Sequence, residues 1–364
     1  MKRFLALLLA LCLILCGCGK KTPDETTAAT TQAPTTEAPT TEAPTTEAPT
    51  TEATEPINLI HPLTGEQLDE PFTGRPVAST LNNAVSAMPQ HGISEADWVF
   101  EVETEGGITR CLGIFTDLEN IGTIGPVRSA RTYFISLSAS FGAPLAHCGG
   151  SNLALNAFYS RDDILQDYRD IDEMHYSSYF FRDSDRLSQG YSFEHTLFTT
   201  GEKLAQAIID KGYNDVLDED GVDFGMQFDE KATLKGDAAA EVVIRFWGGK
   251  KTTMTYNKES GCYEAAQYGG DWIDGTTGKV LSYKNVLVIY AEQSKEIAPN
   301  SLYDLEGEGE GYLALGGKIV PIRWSRGDVH DPFSFTLENG TPVTFGVGST
   351  YAAVVSPNGS VTFG

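Results

Sequence analysis

The stretch "DWVFEVETEGGITRCLGIF" (residues 97–115) gives the clearest indication of the fold. Apolar and polar residues alternate on both sides of the glycine pair at 106–107. Two glycines between alternating segments are typical of a tight turn that joins antiparallel strands. The stretch therefore predicts a β-hairpin.

The hairpin carries several charged side chains. Because successive side chains point to opposite faces of a strand, Glu101, Glu103 and Glu105 should share one face. Pairing across a two-residue turn should place Glu103 opposite Arg110, and such a cross-strand pair contributes roughly 0.2–1 kcal/mol.

The segments around the hairpin alternate between strand and helix patterns. "RPVASTLNN" (75–83) predicts a strand that ends in Asn82 and Asn83. After the hairpin, apolar residues recur at steps of three and four from Val127 to Phe141, which predicts a helix starting at Pro126.

Two further elements follow this predicted helix. "PLAHC" (144–148) predicts a buried strand, and Ser151 stands where a helix over 152–158 needs its N-cap. Thr199 and Glu202 have capping-box spacing ahead of a helix over 203–212.

Beyond about residue 222 the pattern changes to strands alone. The strand-like stretches are 240–247, 251–267, 284–293 and 311–326, separated by short turns that contain Asn, Gly and Ser. We therefore expect an α+β protein, in which a mixed α/β domain (56–221) is followed by a mostly antiparallel β domain (222–364).

The N-terminus carries an export signal. Lys2 and Arg3 precede the apolar run "FLALLLALCLIL" (4–15), which is shorter than the ~20 residues that span a bilayer as a helix. Leu15, Gly17 and Cys18 then match the cleavage pattern of bacterial lipoproteins. The sequence predicts a signal peptide over 1–17 and lipid attachment at Cys18, with an ordinary signal peptide as the alternative.

Residues 18–55 connect this predicted anchor to the rest of the chain. The repeated "TTEAP" pattern is poor in residues that can form a core, so we expect a disordered spacer.

The chain has 50 acidic and 26 basic residues and a formal net charge of −24, which argues against nucleic acid as a partner. We expect an extracytoplasmic protein anchored to the outer face of the cell membrane.

Several segments resemble the YerB-like family of bacterial lipoproteins, which is defined by paired N- and C-terminal DUF3048 domains. The segments that carry the resemblance are "HPLTGE" (61–66), "RPVASTLNN", "SEADWVFEVETEGGITR" (94–110), "IGPVRSAR" (124–131), "HCGGS" (147–151), "GKIVPIRWSR" (317–326) and "TPVTFGVGSTYAAVVSP" (341–357). The resemblance implies a two-part fold and a lipoprotein location, but it implies no activity.

Arg128 and Arg131 are unexpected at the start of a predicted helix. The positive end of the helix dipole disfavours a cation there by roughly 0.3–1 kcal/mol. Some interaction must offset this cost.

Two explanations remain open for these arginines. They could form ion pairs with Glu101, Glu105 or Asp117, or they could hold an anion together with the helix N–H groups. Both can apply if Glu101 orients an arginine that also contacts a ligand.

The sequence therefore predicts binding of a small anion or an acidic cell-envelope ligand. Arg128 and Arg131 would contact the negative group of the ligand, and Arg110 and Glu101 would hold these two arginines in position. Asn82 or Asn83 would donate hydrogen bonds to the ligand. His147 and Ser151 would line the base of the binding site. The predicted ligand-binding residues are Asn82, Asn83, Glu101, Arg110, Arg128, Arg131, His147 and Ser151.

Two other functions stay open. A cell-envelope hydrolase could use His147 with Ser151, or the hairpin glutamates, although neither a third triad member nor a "GxSxG" motif is present. The chain could also be a scaffold for another envelope protein. No cofactor, metal site or catalytic residue is predicted, since His175, His195 and His330 lack metal-ligand spacing.

Overall fold

A long mixed β-sheet organises the part of the chain that the structure describes. The computed structural model describes residues 57–160, 169–295 and 301–364, so the predictions for the signal peptide, Cys18 and the spacer lie outside the described residues. The strands are, in chain order, β1 (Val77–Asn82), β2 (Trp98–Glu103), β3 (Thr109–Phe115), β4 (Thr123–Ile124), β5 (Leu145–His147), β6 (Asp170–Asp172), β7 (Phe181–Arg182), β8 (Leu197–Thr200), β9 (Gln227–Phe228), β10 (Asp237–Ala238), β11 (Glu241–Arg245), β12 (Lys251–Asn257), β13 (Cys262–Gln267), β14 (Gly270–Asp271), β15 (Ser282–Tyr283), β16 (Asn285–Tyr290), β17 (Gln293–Lys295), β18 (Ser301–Tyr303), β19 (Gly307–Leu315), β20 (Lys318–Arg326), β21 (Ser334–Leu337), β22 (Thr344–Phe345), β23 (Thr350–Val355) and β24 (Ser360–Phe363).

Helices are fewer and shorter than the strands. The α-helices within the described ranges are α1 (Thr132–Ala139), α2 (Asn152–Ser160), α3 (Ser184–Ser188) and α4 (Gly201–Asp210). Short 3₁₀ helices occur at Val85–Ala87, Ile93–Glu95, Glu105–Gly107, Ser177–Tyr179 and Phe193–His195. None of these helices has the length and apolar character that crossing a membrane requires. The predicted α+β class is confirmed.

The large sheet contains strands from both halves of the chain. Among the described residues its order is β10-β20-β19-β16-β23-β2-β3-β1-β5-β6, with β21 paired to β20. The C-terminal strand β23 lies between β2 and β16 and runs parallel to both. Strands from both sides of the predicted boundary near residue 222 thus share one sheet, within a single compact unit over Thr54–Gly364. The boundary itself stays a prediction.

Each face of the large sheet is covered by a different layer. A second sheet, β14-β13-β12-β11-β24 with β15 on β13, contributes to the core on one face. Helix α1 packs in the core on the other face, together with β22 and nearby loops. Alternation along β2 divides its side chains between the two cores: Phe100 and Val102 belong to one and Val99 to the other.

The β2–β3 hairpin is confirmed, but its turn is longer than predicted. The turn residues Glu105–Gly107 form a 3₁₀ turn, and Glu103 lies opposite Thr109. The predicted Glu103–Arg110 pair is therefore wrong, because Arg110 lies opposite Val102.

The hairpin tip meets the second sheet through two glycines. A Cβ on Gly107 would lie 2.7 Å from the carbonyl oxygen of Gly248, and Gly107 has a φ of +72°. The backbone N–H of Gly248 also donates to Glu103 Oε1 at 2.9 Å. Only a residue without a side chain fits this close contact at a positive φ.

Helix α1 begins later than the predicted start at Pro126. The backbone N–H groups of Val127, Arg128 and Ala130 donate to Leu197, Thr80 and Gly149, and the helix starts at Thr132. These N–H groups pair with neighbouring segments, so residues 127–130 are extended.

Helix α4 begins at Gly201, and its N-cap differs from the predicted one. Thr200 caps the helix by accepting from the N–H of Lys203, whereas the Thr199 hydroxyl donates to the carbonyl of Tyr179. The Thr199 capping box is therefore wrong.

Candidate functional site

Glu101 lies at the centre of a buried polar cluster between the two sheets. Its carboxylate lies 2.5 Å from the ammonium of Lys250, just before β12. The hydroxyl groups of Tyr351, Thr109 and Thr252 donate to it at 2.5, 2.5 and 2.7 Å. Glu101 is fully buried, and this cluster joins strands from distant parts of the chain.

The electrostatics of this cluster favour an ionised carboxylate. Burial opposes ionisation, but Lys250 and the surrounding hydrogen bonds outweigh it and lower the pKa of Glu101 below its usual value. The prediction that Glu101 orients an arginine is wrong, because its charged partner is Lys250. Removing either partner from such a buried pair leaves an uncompensated charge.

Both asparagines at the end of β1 have internal hydrogen bonds. The Asn83 amide donates to Glu101 at 2.9 Å and to Thr109 at 2.8 Å, so this residue belongs to the Glu101 cluster. The Asn82 amide contacts His195 Nδ1 at 2.8 Å, and its side-chain oxygen accepts from the N–H of Ala84. Asn82 and Asn83 therefore take part in different contacts.

Arg131 occupies the N-cap position of α1 and forms a two-pronged ion pair. Its Nε and Nη2 donate to the two carboxylate oxygens of Glu105 at 2.8 and 2.7 Å. Burial opposes ionisation of Glu105, but the hydrogen bonds from Arg131 and Thr104 lower its pKa to about 2. The predicted pairing of Arg131 with a hairpin carboxylate is confirmed for Glu105.

Arg128 is held less firmly than Arg131. Its Nη1 lies 3.1 Å from a carboxylate oxygen of Glu194, whose side chain is 54% exposed. The Nε of Arg128 is buried and has no hydrogen-bond partner within the described ranges. An exposed pair of this kind contributes about 0–1 kcal/mol.

Arg110 is a buried cation with few partners. It is 4% exposed and projects from β3 on the face of the hairpin opposite Glu101. Across residues 57–160, 169–295 and 301–364 it forms no ion pair, and its one hydrogen bond runs from Nη1 to the carbonyl of Ser129 at 2.6 Å. Burial, followed by the nearby charges of Arg131 and Arg128, lowers the pKa of Arg110 to about 10.

The backbone of residues 128–130 runs beside that of residues 148–151. Three backbone hydrogen bonds of 2.9–3.2 Å connect the two segments. Ser151 accepts from the N–H of Ala154 at 3.2 Å, so its predicted N-cap role for α2 is confirmed. His147 ends β5 and contacts the carbonyl of Gly149 through Nδ1 at 2.9 Å.

The predicted site residues therefore fall into separate groups. Arg110, Arg128 and Arg131 form an arginine cluster on one face of the hairpin. Glu101 and Asn83 lie on the other face. His147 lies at the end of β5, where its ring nitrogens are within 3.8 Å of two carboxylates.

The sequence analysis missed four charged residues that complete these groups, of which Glu194 contacts Arg128. Lys250 was not identified, because nothing local connects it to Glu101. Asp170 and Asp172 flank His147. Their i,i+2 spacing, which places both on one strand face, was an available signal.

Two protein-family domains match this chain. Residues 63–214 match "Protein of unknown function (DUF3048) N-terminal domain", and residues 242–352 match "Protein of unknown function (DUF3048) C-terminal domain". The matches cover β1 to α4 and most of the strands after residue 241. The arginine cluster lies within the first.

Relatives of the chain include a Bacillus subtilis protein. The chain is 29% identical to "Putative lipoprotein YerB" of strain 168 over 272 residues, which cover 73% of this chain and 77% of that protein. It also resembles the crystal structure of the Bacillus subtilis YerB protein, with a TM-score of 0.70 and 26% identity over 84% of this chain and all of that chain.

Proposed function

Since the chain belongs to the YerB-like family of DUF3048 lipoproteins, we propose that it is a lipid-anchored extracytoplasmic protein whose arginine cluster binds a small anion or an acidic envelope ligand. The family carries no established activity, so the proposal depends on the chemistry of the residues themselves.

The buried guanidinium of Arg110 is the observation that carries the proposal. A buried charge is costly unless it is paired and hydrogen-bonded. Arg110 has a single carbonyl partner, and the three arginines of the cluster are matched by two carboxylates among the described residues, those of Glu105 and Glu194, so positive charge is in excess. An anion bound at this cluster would offset the cost through charge-assisted hydrogen bonds of ~1.5–3 kcal/mol each.

The neighbouring arginines differ in how easily a ligand could recruit them. Arg131 is tied to Glu105 by two short hydrogen bonds and acts as a fixed support. Arg128 contacts Glu194 at the surface, and this weak contact can open. A ligand anion would therefore take the place of the Glu194 carboxylate on Arg128.

The positions of His147 and Ser151 favour binding over hydrolysis. A serine nucleophile needs its hydroxyl directed at a base and at a substrate. The Ser151 hydroxyl oxygen accepts from the first turn of α2, and His147 is fully buried with Nδ1 on a backbone carbonyl. These contacts support structural roles for both side chains.

The lipid anchor places the arginine cluster outside the cell. Leu15, Gly17 and Cys18 form the cleavage pattern, and two acyl chains on Cys18 hold a protein stably on a membrane. With Cys18→Ala the protein should move from the membrane fraction to the medium or remain uncleaved. Unchanged membrane attachment with normal cleavage would contradict the anchor.

A thermal-shift experiment tests anion binding directly. The full chain in detergent is heated with inorganic phosphate, pyrophosphate or citrate, against sodium chloride at matched ionic strength. A ligand at 100 times its Kd stabilises by ~2.7 kcal/mol, so the melting temperature should rise by several degrees.

The matched variants decide whether the arginine cluster is responsible. Arg110→Met should abolish the rise, whereas Arg323→Met, at an exposed arginine on β20, should preserve it. The same rise in Arg110→Met would place the anion elsewhere. No rise with any anion in the wild-type chain would favour the scaffold function.

A further inference from the structure

The neighbouring strands β5 and β6 bring three potential metal ligands together. The two strands run parallel, with His147 opposite Asp172. Because side chains alternate, Asp170 shares a sheet face with both. One ligand atom from each residue lies within 4.8 Å of the other two.

The cluster combines burial with negative charge. His147 is fully buried, and the side chains of Asp172 and Asp170 are 1% and 14% exposed. Imidazole nitrogens and carboxylate oxygens are ligand types that divalent transition metal ions take in proteins, and burial limits competition from water at these atoms.

The imidazole is oriented as a metal ligand would be. Its Nδ1 lies 2.9 Å from the carbonyl oxygen of Gly149, to which only a ring N–H can donate. Its Nε2 lies 3.7 Å from Asp170 Oδ2, and Asp172 Oδ1 lies 3.8 Å from Nδ1. Metal-bound histidines commonly donate their other ring N–H to a backbone carbonyl. Ligand atoms around one ion at about 2.0–2.2 Å also lie roughly 3–4 Å apart.

Asp172 is positioned by backbone donors. The N–H groups of Gly149 and Met174 donate to its Oδ1 at 2.8 and 3.1 Å. Gly149 therefore orients both Asp172 and His147, through its N–H and its carbonyl. Outer contacts of this kind hold ligands in position around a metal.

We propose that His147 Nε2 and the carboxylates of Asp170 and Asp172 bind a divalent first-row transition metal ion. One imidazole with two carboxylates suits Zn²⁺ and Mn²⁺, and three protein ligands leave a coordination position open to water or a ligand. The site is independent of anion binding at the arginine cluster.

Titration calorimetry of the untagged full chain in detergent with ZnCl₂ and with MnCl₂ tests the proposal. We expect one equivalent of each ion to bind. Mn²⁺ is included because it does not favour thiolates, so its binding does not report on the chain's cysteines. Asp170→Asn should weaken metal binding at least ~100-fold. Even the substitution of a residue that only hydrogen-bonds to a metal ligand lowers metal affinity 10–100-fold.

The control variant is Asp69→Asn, in which an exposed aspartate outside the cluster is changed in the same way. This variant should bind the metal ions as the wild type does. Equal affinity in Asp170→Asn, or no binding of either ion to the wild type, would overturn the site.

Should Asp170→Asn fail to fold, wild-type crystals grown with Mn²⁺ decide the matter. An anomalous peak beside His147 Nε2 supports the proposal, and a peak only elsewhere overturns it.

Discussion

Lys250 and Arg110 are both buried cations, and they lie on opposite sides of the same hairpin. Lys250 contacts Glu101 at 2.5 Å and the Thr252 hydroxyl, so its charge is matched. Arg110 has one carbonyl partner and, among the described residues, forms no ion pair, since the nearby Glu105 carboxylate is bound to Arg131. The charge of Lys250 is neutralised by a residue of the chain itself, whereas the arginine cluster carries excess positive charge.

This difference separates structural charges from candidate binding charges. A buried pair whose charges neutralise each other joins two sheets, and loss of one partner leaves a single buried charge. A buried charge with few partners adds nothing comparable to the fold, and this is why we propose a ligand for Arg110. Residue type alone would not distinguish Lys250 from Arg110.

The largest effect should come from breaking the Glu101–Lys250 pair. Glu101→Gln removes the negative charge and leaves Lys250 buried, so the free energy of unfolding should fall by about 3–5 kcal/mol. Urea unfolding of the full chain in detergent measures it. The double variant Glu101→Gln/Lys250→Met should lose less than the sum of the two single variants. A loss below ~1 kcal/mol in Glu101→Gln would show that the pair is not a structural element.

Asp97 provides an intermediate case, a carboxylate with hydrogen bonds but no cation among the described residues. Thr116 donates to it through its N–H and hydroxyl at 2.8 and 2.7 Å, yet burial raises the pKa of Asp97 to about 7. The folded state therefore binds a proton more tightly than the unfolded state, whose pKa is near 3.8.

The stability contributed by Asp97 should therefore be complete below about pH 4 and be lost as the pH rises to 7. We expect a loss of about 2 kcal/mol, which is less than the shift implies because the side chain keeps some exposed surface. Urea unfolding from pH 4 to 7.5 should show this slope in the wild type and a flatter curve in Asp97→Asn. Parallel curves would contradict the assignment.

The smallest effect on stability should come from Glu194→Gln, at the exposed partner of Arg128. Its removal should change the free energy of unfolding by no more than about 0.5 kcal/mol. The same variant should increase the anion-dependent rise in melting temperature, because a competing carboxylate is gone. Glu310→Gln, at another exposed pair, should change neither quantity. A reduced anion response in Glu194→Gln would mean that Glu194 supports the ligand.

Local patterns predicted much of the secondary structure. The β2–β3 hairpin, the β5 strand and the start of α2 at the Ser151 cap all depend on residues close together in the chain. The start of α1 could not be predicted this way. Residues 127–130 pair with segments near 80, 149 and 197, and that competition is not visible within the helix pattern itself.

The candidate site was predicted only in part, for the same reason. The segments "GPVRSAR" and "HCGGS" lie side by side and are joined by backbone hydrogen bonds. Both segments, which carry the two arginines and His147, were identified from the sequence. Their interactions were not predicted: Arg128 contacts Glu194, and His147 lies near Asp170. Nor did the sequence indicate that Arg110 forms no ion pair among the described residues.

The amino-acid sequence by itself determined the α+β class, the family, the acidic character and the faces of individual strands, because alternation and capping act over a few residues. Tertiary structure alone decided that β23 lies between β2 and β16, and that Lys250 neutralises Glu101 while Arg110 forms no ion pair among the described residues. Which distant strand covers a polar face depends on the packing of the whole sheet, and no local pattern records it.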